Sequence, residues 1–290
     1  MTKPTQIHNV MVRSRYVNIM VYGINGIGKS PFAGGAPKTL VLECGGRETD
    51  TMASLRQEVD VWAIANRSAM WEAYEYLRHE GHKEYDWVWV DSLTGYEKLY
   101  MNEELDTAMA KRSAQNKNAD RVADLREYLL VQTEIKRITQ HLADLPMHFG
   151  ATATVMMLPW RDLDPEGGYE RETLMMMPAI QGKDGKVAMD VCGEFNVVGF
   201  LDRLEEGEEM IPAMLVRYDG RHVARDRFVA IPTTENGWLL NPTLPKIMEA
   251  IEKKHRASRV AGATKATAAK KVHRSVKKVA KKSTAVQKRS

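Results

Sequence analysis

Cysteine is scarce in this chain: 290 residues hold two, Cys44 and Cys192. Two thiols rule out a disulfide framework or a cysteine-based zinc site, and they suit a reducing compartment. Long apolar runs are missing as well. No stretch approaches the roughly 18 residues that a membrane span needs. The most notable one, Thr173–Ile180, is a methionine cluster broken by Pro178. Met1–Val10 is polar and lacks the apolar core of a signal peptide, which argues for the cytoplasm and against secretion or a membrane partner. Acids vanish after Glu252 and aromatics after Trp238. What remains, 43% hydrophobic and 28% charged residues, is an ordinary globular composition with room for one large domain or two small ones.

The formal net charge of +4 conceals two opposite parts. From Lys253 to Ser290 there are 14 Lys/Arg and no acid, which leaves residues 1–252 with a net of −10. Alternating Ala/Lys blocks in this tail resemble those of linker-histone tails. Charges of one sign at this density repel, and the segment has too little apolar surface for a core, so it is expected to be disordered when free. A polyanion is the partner such asymmetry implies. The expected nucleic-acid contacts are Lys270, Lys271, Arg274, Lys277, Lys278, Lys281 and Lys282. The expected organisation is therefore an N-terminal extension (1–13), one domain (14–252) and a basic tail (253–290).

Within the domain, Val17–Tyr22, Thr39–Glu43, Asp60–Ile64, Trp87–Asp91 and His148–Met157 read as strands. Trp87–Val90 is apolar throughout, as in the middle of a parallel sheet. Residues 67–79, 96–110 and 119–143 read as helices. In the last of these Ala123, Leu125, Leu129, Leu130, Ile135, Ile138 and Leu142 form the expected buried stripe. Lys111–Asn118 reads as a loop and Asp164–Gly168 as a turn. Beyond them lie short strands at Glu194–Phe200, Ile211–Arg217 and Arg227–Ile231, and then a helix from Pro245 to Lys254. Strands alternating with helices, followed by a β-rich end, predict an α/β fold with a mostly parallel central sheet.

The first strand runs into Gly23-Ile24-Asn25-Gly26-Ile27-Gly28-Lys29-Ser30, which matches the phosphate-binding pattern G-x-x-x-x-G-K-[ST]. Glycines let the backbone wrap a phosphate and turn its N–H groups inward. Lys29 is placed to reach the β- and γ-phosphates and Ser30 to offer a hydroxyl to Mg²⁺. Lys29 is expected to be exposed. Pro31 fits the first turn of a helix, and Gly34 and Gly35 predict that this helix is short. The spacing is not G-x-G-x-x-G, which disfavours a dinucleotide fold.

A carboxylate at the end of a neighbouring strand is needed to hold the Mg²⁺. Asp91 occupies such a position; a plain strand-end cap of Ser92-Leu93-Thr94 is the alternative. Glu43, at the end of the second strand, and Glu48 after it are both candidates to orient an attacking water, or else are solvated loop carboxylates. Thr152 and Thr154 are candidate phosphate sensors, or buried threonines bonded to backbone. His79-Glu80-Gly81-His82 lacks zinc spacing and reads as a surface turn. Trp87 and Trp89 read as core, Leu174–Met177 as core or subunit contact, and Arg225 and Arg227 as surface charge or as groups serving a neighbouring subunit.

Taken in order, Gly23–Ser30, Ala36-Pro37-Lys38 before Leu40–Glu43, and Tyr85-Asp86 before Val88–Asp91 with Ser92-Leu93-Thr94 resemble the RecA-like P-loop ATPases of phages. Among these the chain looks most like the single-strand annealing ATPases of the Sak type, often grouped as AAA ATPases. Looser similarity lies in Pro178–Gly182, Phe195–Val198, Arg217 and Asp226-Arg227. The resemblance implies a RecA-like core, ATP and Mg²⁺ as cofactors, single-stranded DNA as partner, homo-oligomers, and a part in annealing or recombination. Two departures, Gly45 where the family often has an acid and Thr154 where it often has a histidine, imply slow turnover. A DNA-binding protein with a vestigial pocket and a helicase or packaging motor are the competing readings.

Overall fold

The computed structural model describes residues 16–46, 49–115, 122–163 and 170–257. Tyr16–Ile247 forms one compact unit, and the chain from Met248 groups apart from it. Residues 244–257 are helical, so the expected tail boundary at 253 falls inside a helix; residues 258–290, with all seven proposed tail contacts, lie outside the described residues.

A ten-stranded sheet carries the unit. Its path runs β10 (Trp238–Leu240), β8 (Glu209–Leu215), β7 (Val197–Glu206), β1 (Asn18–Gly23), β5 (His148–Leu163), β4 (Trp87–Asp91), β2 (Thr39–Glu43) and β3 (Val59–Ala63). The pairs joining β7, β1, β5, β4, β2 and β3 are all parallel. β6 (Glu170–Pro178) pairs antiparallel with the outer part of β5, and β9 (Arg225–Asp226) with β7. The α/β fold with a mostly parallel sheet and a β-rich C-terminal part is thus present as expected. Burial explains the sequence pattern. β1 and β4 are covered on both faces, and every residue of each is buried, whereas the edge strand β3 exposes Val61. Trp87 and Trp89 stack at 5.8 Å as core residues. Gly150 on β5 is what lets Trp89 lie flat, since a Cβ there would come within 2.2 Å of the indole.

The helices between the strands are α1 (Lys29–Ala33), α2 (Asp50–Ser54), α3 (Arg67–His79), α4 (Leu93–Gln115), α5 (Leu125–Ala143) and α6 (Lys186–Gly193). α3 begins where Asn66 Oδ1 accepts the Ala69 N–H at 2.8 Å, and it buries Met70, Ala73 and Leu77. α5 begins with a capping box between Asp124 and Glu127.

The expected stripe on α5 is only half right. Val131, Ile135, Ile138 and Leu142 are buried, but Leu125, Leu129 and Leu130 are 75%, 53% and 39% exposed. At 3.6 residues per turn Leu129 points about 200° away from Val131. Glu127 and Glu134 take the inward positions instead. Glu134 accepts from Trp71 Nε1 at 2.5 Å and from Tyr96 O–H at 3.3 Å, and pairs with Arg67 Nε at 3.0 Å. A buried carboxylate with this many partners joins α3, α4 and α5.

Other boundaries differ too. Residues 111–115 continue α4 rather than forming a loop, and β5 runs on to Leu163 because β6 pairs with its outer half. The turn expected at 164–168 lies outside the described residues. Arg227–Ile231 is not a strand. The Asp226 carboxylate accepts the N–H groups of Phe228, Ala230 and Ile231 at 2.8, 2.7 and 2.9 Å, which diverts that backbone from a ladder. The Met-rich strand alternates, with Met175 and Met177 buried and Leu174 exposed.

Candidate functional site

Parallel strands bring their C-terminal ends to one edge, where open α/β sheets hold ligands. Gly23 pairs in register with Thr154, and Glu43 with Asp91. The loop leaving β1 turns through Gly26 at φ 79° and Gly28 at φ 106°, values that L side chains rarely adopt. Ile24 and Asn25 are exposed, and Ile27, Gly28 and Ser30 are half-buried. α1 is short, as expected, with Pro31 in its first turn. A five-residue helix adds little dipole, so the loop's own N–H groups and Lys29 carry the attraction for an anion.

Lys29 is not exposed as expected. It retains 9% of its surface, and its ammonium donates to the carbonyls of Gly23 at 3.1 Å and Ile24 at 2.9 Å. The aliphatic stem is packed while the charged head is held by the loop it serves.

Asp91 is 2% exposed. Burial pushes its carboxyl above the ordinary carboxylate range; the hydrogen bond from Thr152, the nearby Ser30 hydroxyl and the charge of Lys29 oppose that shift, and Glu43 adds to it. Thr152 Oγ1 donates to Asp91 Oδ1, so Thr152 bonds neither to backbone nor to open space. Oδ2 is buried without a hydrogen-bond partner, with the Ser30 hydroxyl near enough to favour the ionised form. An orphaned carboxylate oxygen beside a hydroxyl is a donor set that fits Mg²⁺, which takes few protein ligands and fills its shell with water and phosphate oxygen. Glu43 is half-buried, and its Oε1 accepts from Thr49 N at 3.0 Å and Thr49 Oγ1 at 2.7 Å. Glu48 lies outside the described residues.

A second layer was not foreseen. Thr94 Oγ1 accepts the Thr154 N–H at 3.1 Å and donates to Ala179 O at 3.1 Å, while Ala179 N donates to Thr154 O at 2.7 Å. Glu97, 3% exposed, accepts the Gln181 N–H at 2.8 Å. The signal for Glu97 was a carboxylate on the face of α4 that also carries Leu93, Tyr96 and Tyr100. Burial pushes its carboxyl up to about 7, with the Gln181 N–H and Lys98 opposing. A raised folded value means that Glu97 favours the fold below its unfolded value near 4.5, and that this contribution is lost as pH rises through 7. Glu97→Gln keeps an acceptor for Gln181 and should flatten that dependence. We expect the variant to be more stable than the parent at pH 8, by about 1–3 kcal/mol, and nearly equal at pH 4.5. Thermal melts across that range check it; equal pH dependence in both proteins defeats it.

Arg225 and Arg227 hold the end of α6. Arg225 donates to the carbonyls of Cys192 and Phe195, and Arg227 to that of Gly193 at 2.7 Å, as cations do at a helix C-terminus. His82 bonds to Leu77 O and His79 pairs with Glu75, in keeping with a surface turn.

Residues 15–228, most of the chain, match the family model AAA_24, an AAA domain. The chain belongs to the AAA domain family. This is a family of P-loop ATPases, a fold that binds nucleotide and usually Mg²⁺. Among solved structures it is similar to the KaiC-like protein PH0186 from Pyrococcus horikoshii OT3, at 13% identity over 78% of this chain and 90% of that one, TM-score 0.40. It is similar also to the flagellar accessory protein FlaH from Methanocaldococcus jannaschii, at 9% identity over 78% and 90%, TM-score 0.36. The RadB recombinase matches at 14% identity over 77% and 89%, TM-score 0.40. No curated protein sequence matches. Among the described residues no helix is long and apolar enough to cross a membrane.

Proposed function

We propose that this chain is a RecA-like phage ATPase that uses ATP and Mg²⁺ to control its hold on single-stranded DNA, working as a homo-oligomer in annealing or recombination. The observation that carries the ATPase half is the convergence of Lys29, Ser30 and Asp91 at the ends of β1 and β4. The loop Gly23–Ser30 binds the triphosphate through its N–H groups, and Lys29 exchanges two loop carbonyls for phosphate oxygens. Ser30 and Asp91 Oδ2 would hold Mg²⁺, which neutralises phosphate charge. Glu43, at the end of the neighbouring strand, orients the attacking water, and Thr152 keeps the Asp91 carboxylate turned toward the loop. Thr49 restrains the Glu43 carboxylate, which fits slow turnover. Thr154, tied to Thr94, serves as the phosphate sensor.

The DNA half rests on charge. A body of net −10 repels a polyanion at long range, and the basic C-terminal segment supplies the attraction. Residues 258–290 hold 11 Lys/Arg. Each phosphate neutralised on a single strand contributes about −0.7 to the slope of log K against log salt. If half of these cations engage, removing 258–290 should flatten the slope by about 4 and leave basal ATP hydrolysis intact. Affinity should fall for single and double strands alike, since the segment has no aromatic residue to stack on bases. Binding measured from low to moderate salt decides it; an unchanged slope removes the tail from the proposal. Annealing stimulated by ATP without strand displacement supports the whole reading, and displacement of a duplex replaces it with a motor.

A further inference from the structure

A cavity of about 490 Å³ opens beside the phosphate loop and shares Ile27, Gly28 and Pro31 with it. Its volume falls within the range of nucleotide-sized sites. The other walls are apolar: Phe32 from α1, Leu201 from β7, and Pro212, Pro242 and Leu244 from the chain that closes the sheet beyond β8. Leu201 joins this wall to the phosphate loop directly, since its carbonyl oxygen would lie 2.6 Å from a Cβ placed on Gly23. A nucleoside whose triphosphate sits on Gly23–Ser30 has this cavity next to it.

Among the described residues the lining is poor in groups that tell one purine from another. Proline has no N–H, so Pro31, Pro212, Pro242 and Pro245 offer no backbone donor. The Gly35 N–H is spent on Phe32 O at 3.2 Å. The polar side chains of the lining are Gln57 and Thr243. Gln57 Nε2 spends one N–H on Pro31 O at 2.8 Å, and Oε1 is sealed from solvent against Gly34, so the acceptor end is withdrawn from the cavity. Thr243 Oγ1 accepts the Lys246 N–H at 3.3 Å as a helix cap. A hydroxyl can also donate or accept with equal ease, so it cannot separate the amino group of adenine from the carbonyl of guanine.

We infer that this cavity is a purine slot that holds the base by apolar contact without reading it, so that the protein takes adenine and guanine nucleoside triphosphates nearly alike. The inference rests on the nucleotide site proposed above. Sites built to hydrogen-bond a group reject an analogue lacking it by factors of about 10⁴–10⁵, whereas apolar pockets discriminate weakly.

Calorimetric titration of the full chain with Mg-ATP, Mg-GTP and Mg-tripolyphosphate separates the two claims. We expect ATP and GTP affinities within about threefold of each other, and both at least tenfold tighter than tripolyphosphate, which lacks a base. An ATP preference above about thirtyfold reveals a base reader and overturns the inference, as does tripolyphosphate binding as tightly as ATP. Failure of all three ligands to bind instead overturns the phosphate site. Leu201→Trp, which fills the slot, should weaken ATP and GTP equally and leave tripolyphosphate untouched. Should it fail to fold, Pro242→Trp at the half-buried rim makes the same test. Undiminished ATP affinity in either variant, with tripolyphosphate still bound, defeats the assignment.

Discussion

Lys29→Ala should reduce ATP affinity by about 10–100-fold and turnover by at least about 10³-fold while the protein stays folded. The partners of the Lys29 ammonium include two carbonyls of the phosphate loop itself, at Gly23 and Ile24. Removing the side chain strands the carbonyl of Ile24, which water reaches, and that of Gly23, which is buried. The stability loss is therefore about 1–3 kcal/mol, a fraction of a domain's stability. Nucleotide binding falls as well, because a phosphate oxygen loses a charged donor that no other described residue of the loop replaces. Calorimetry with ATP beside a thermal melt reads both quantities. Undiminished affinity and turnover in a folded variant would remove the phosphate-loop assignment.

Asp91→Asn should separate stability from activity in opposite directions. Burial already disfavours the charged carboxylate, so a neutral carboxamide of the same shape relieves a penalty. Thermal stability should hold or rise. Mg²⁺-dependent hydrolysis should fall by about 10²–10³-fold, because the lost charge faces Ser30 at the proposed metal position. Nucleotide binding measured without Mg²⁺ should change little. Melting curves and a Mg²⁺ titration of turnover make the comparison. A variant that loses stability and keeps its metal dependence would recast Asp91 as a structural residue held by Thr152. Glu43→Gln then isolates the water-orienting role: turnover should drop with nucleotide affinity unchanged.

The parts of the fold that were legible in the sequence are those where one local signal decides. Glycine spacing fixed the loop, and the unbroken apolar run Trp87–Val90 placed Asp91 at the end of a doubly covered strand. The side chain of Lys29 was misplaced because burial depends on carbonyls that only the folded loop supplies. Leu125 and Leu129 misled for another reason: apolar residues at roughly helical spacing define a stripe only once a neighbour fixes which side is inward, and here Glu127 and Glu134 are turned inward. The layer of Thr94, Glu97 and Gln181 was hidden because its members are more than 80 residues apart in part, and hydrogen bonds across that distance leave no periodic trace. Asp226 shows the same limit, since its side chain ended a strand that propensity favoured.

The hairpin of β5 and β6 stands on this layer. One foot is Thr154, the residue before Val155, and the other is Ala179, the residue after Pro178; the two are joined by the bond from Ala179 N to Thr154 O. Nine residue pairs, Val155–Pro178 through Leu163–Glu170, make an arm of about 30 Å. Its inner half is clamped: Met175 and Met177 are buried, and Met176 donates its N–H to Arg221 O at 2.6 Å and accepts the Val223 N–H at 3.0 Å. The five outer pairs, Pro159–Leu174 through Leu163–Glu170, project beyond that clamp by about 15 Å, so mechanically this is a short cantilever, and a shift at Thr154 is passed through Met176 into the strand-end chain around Arg221 and Val223.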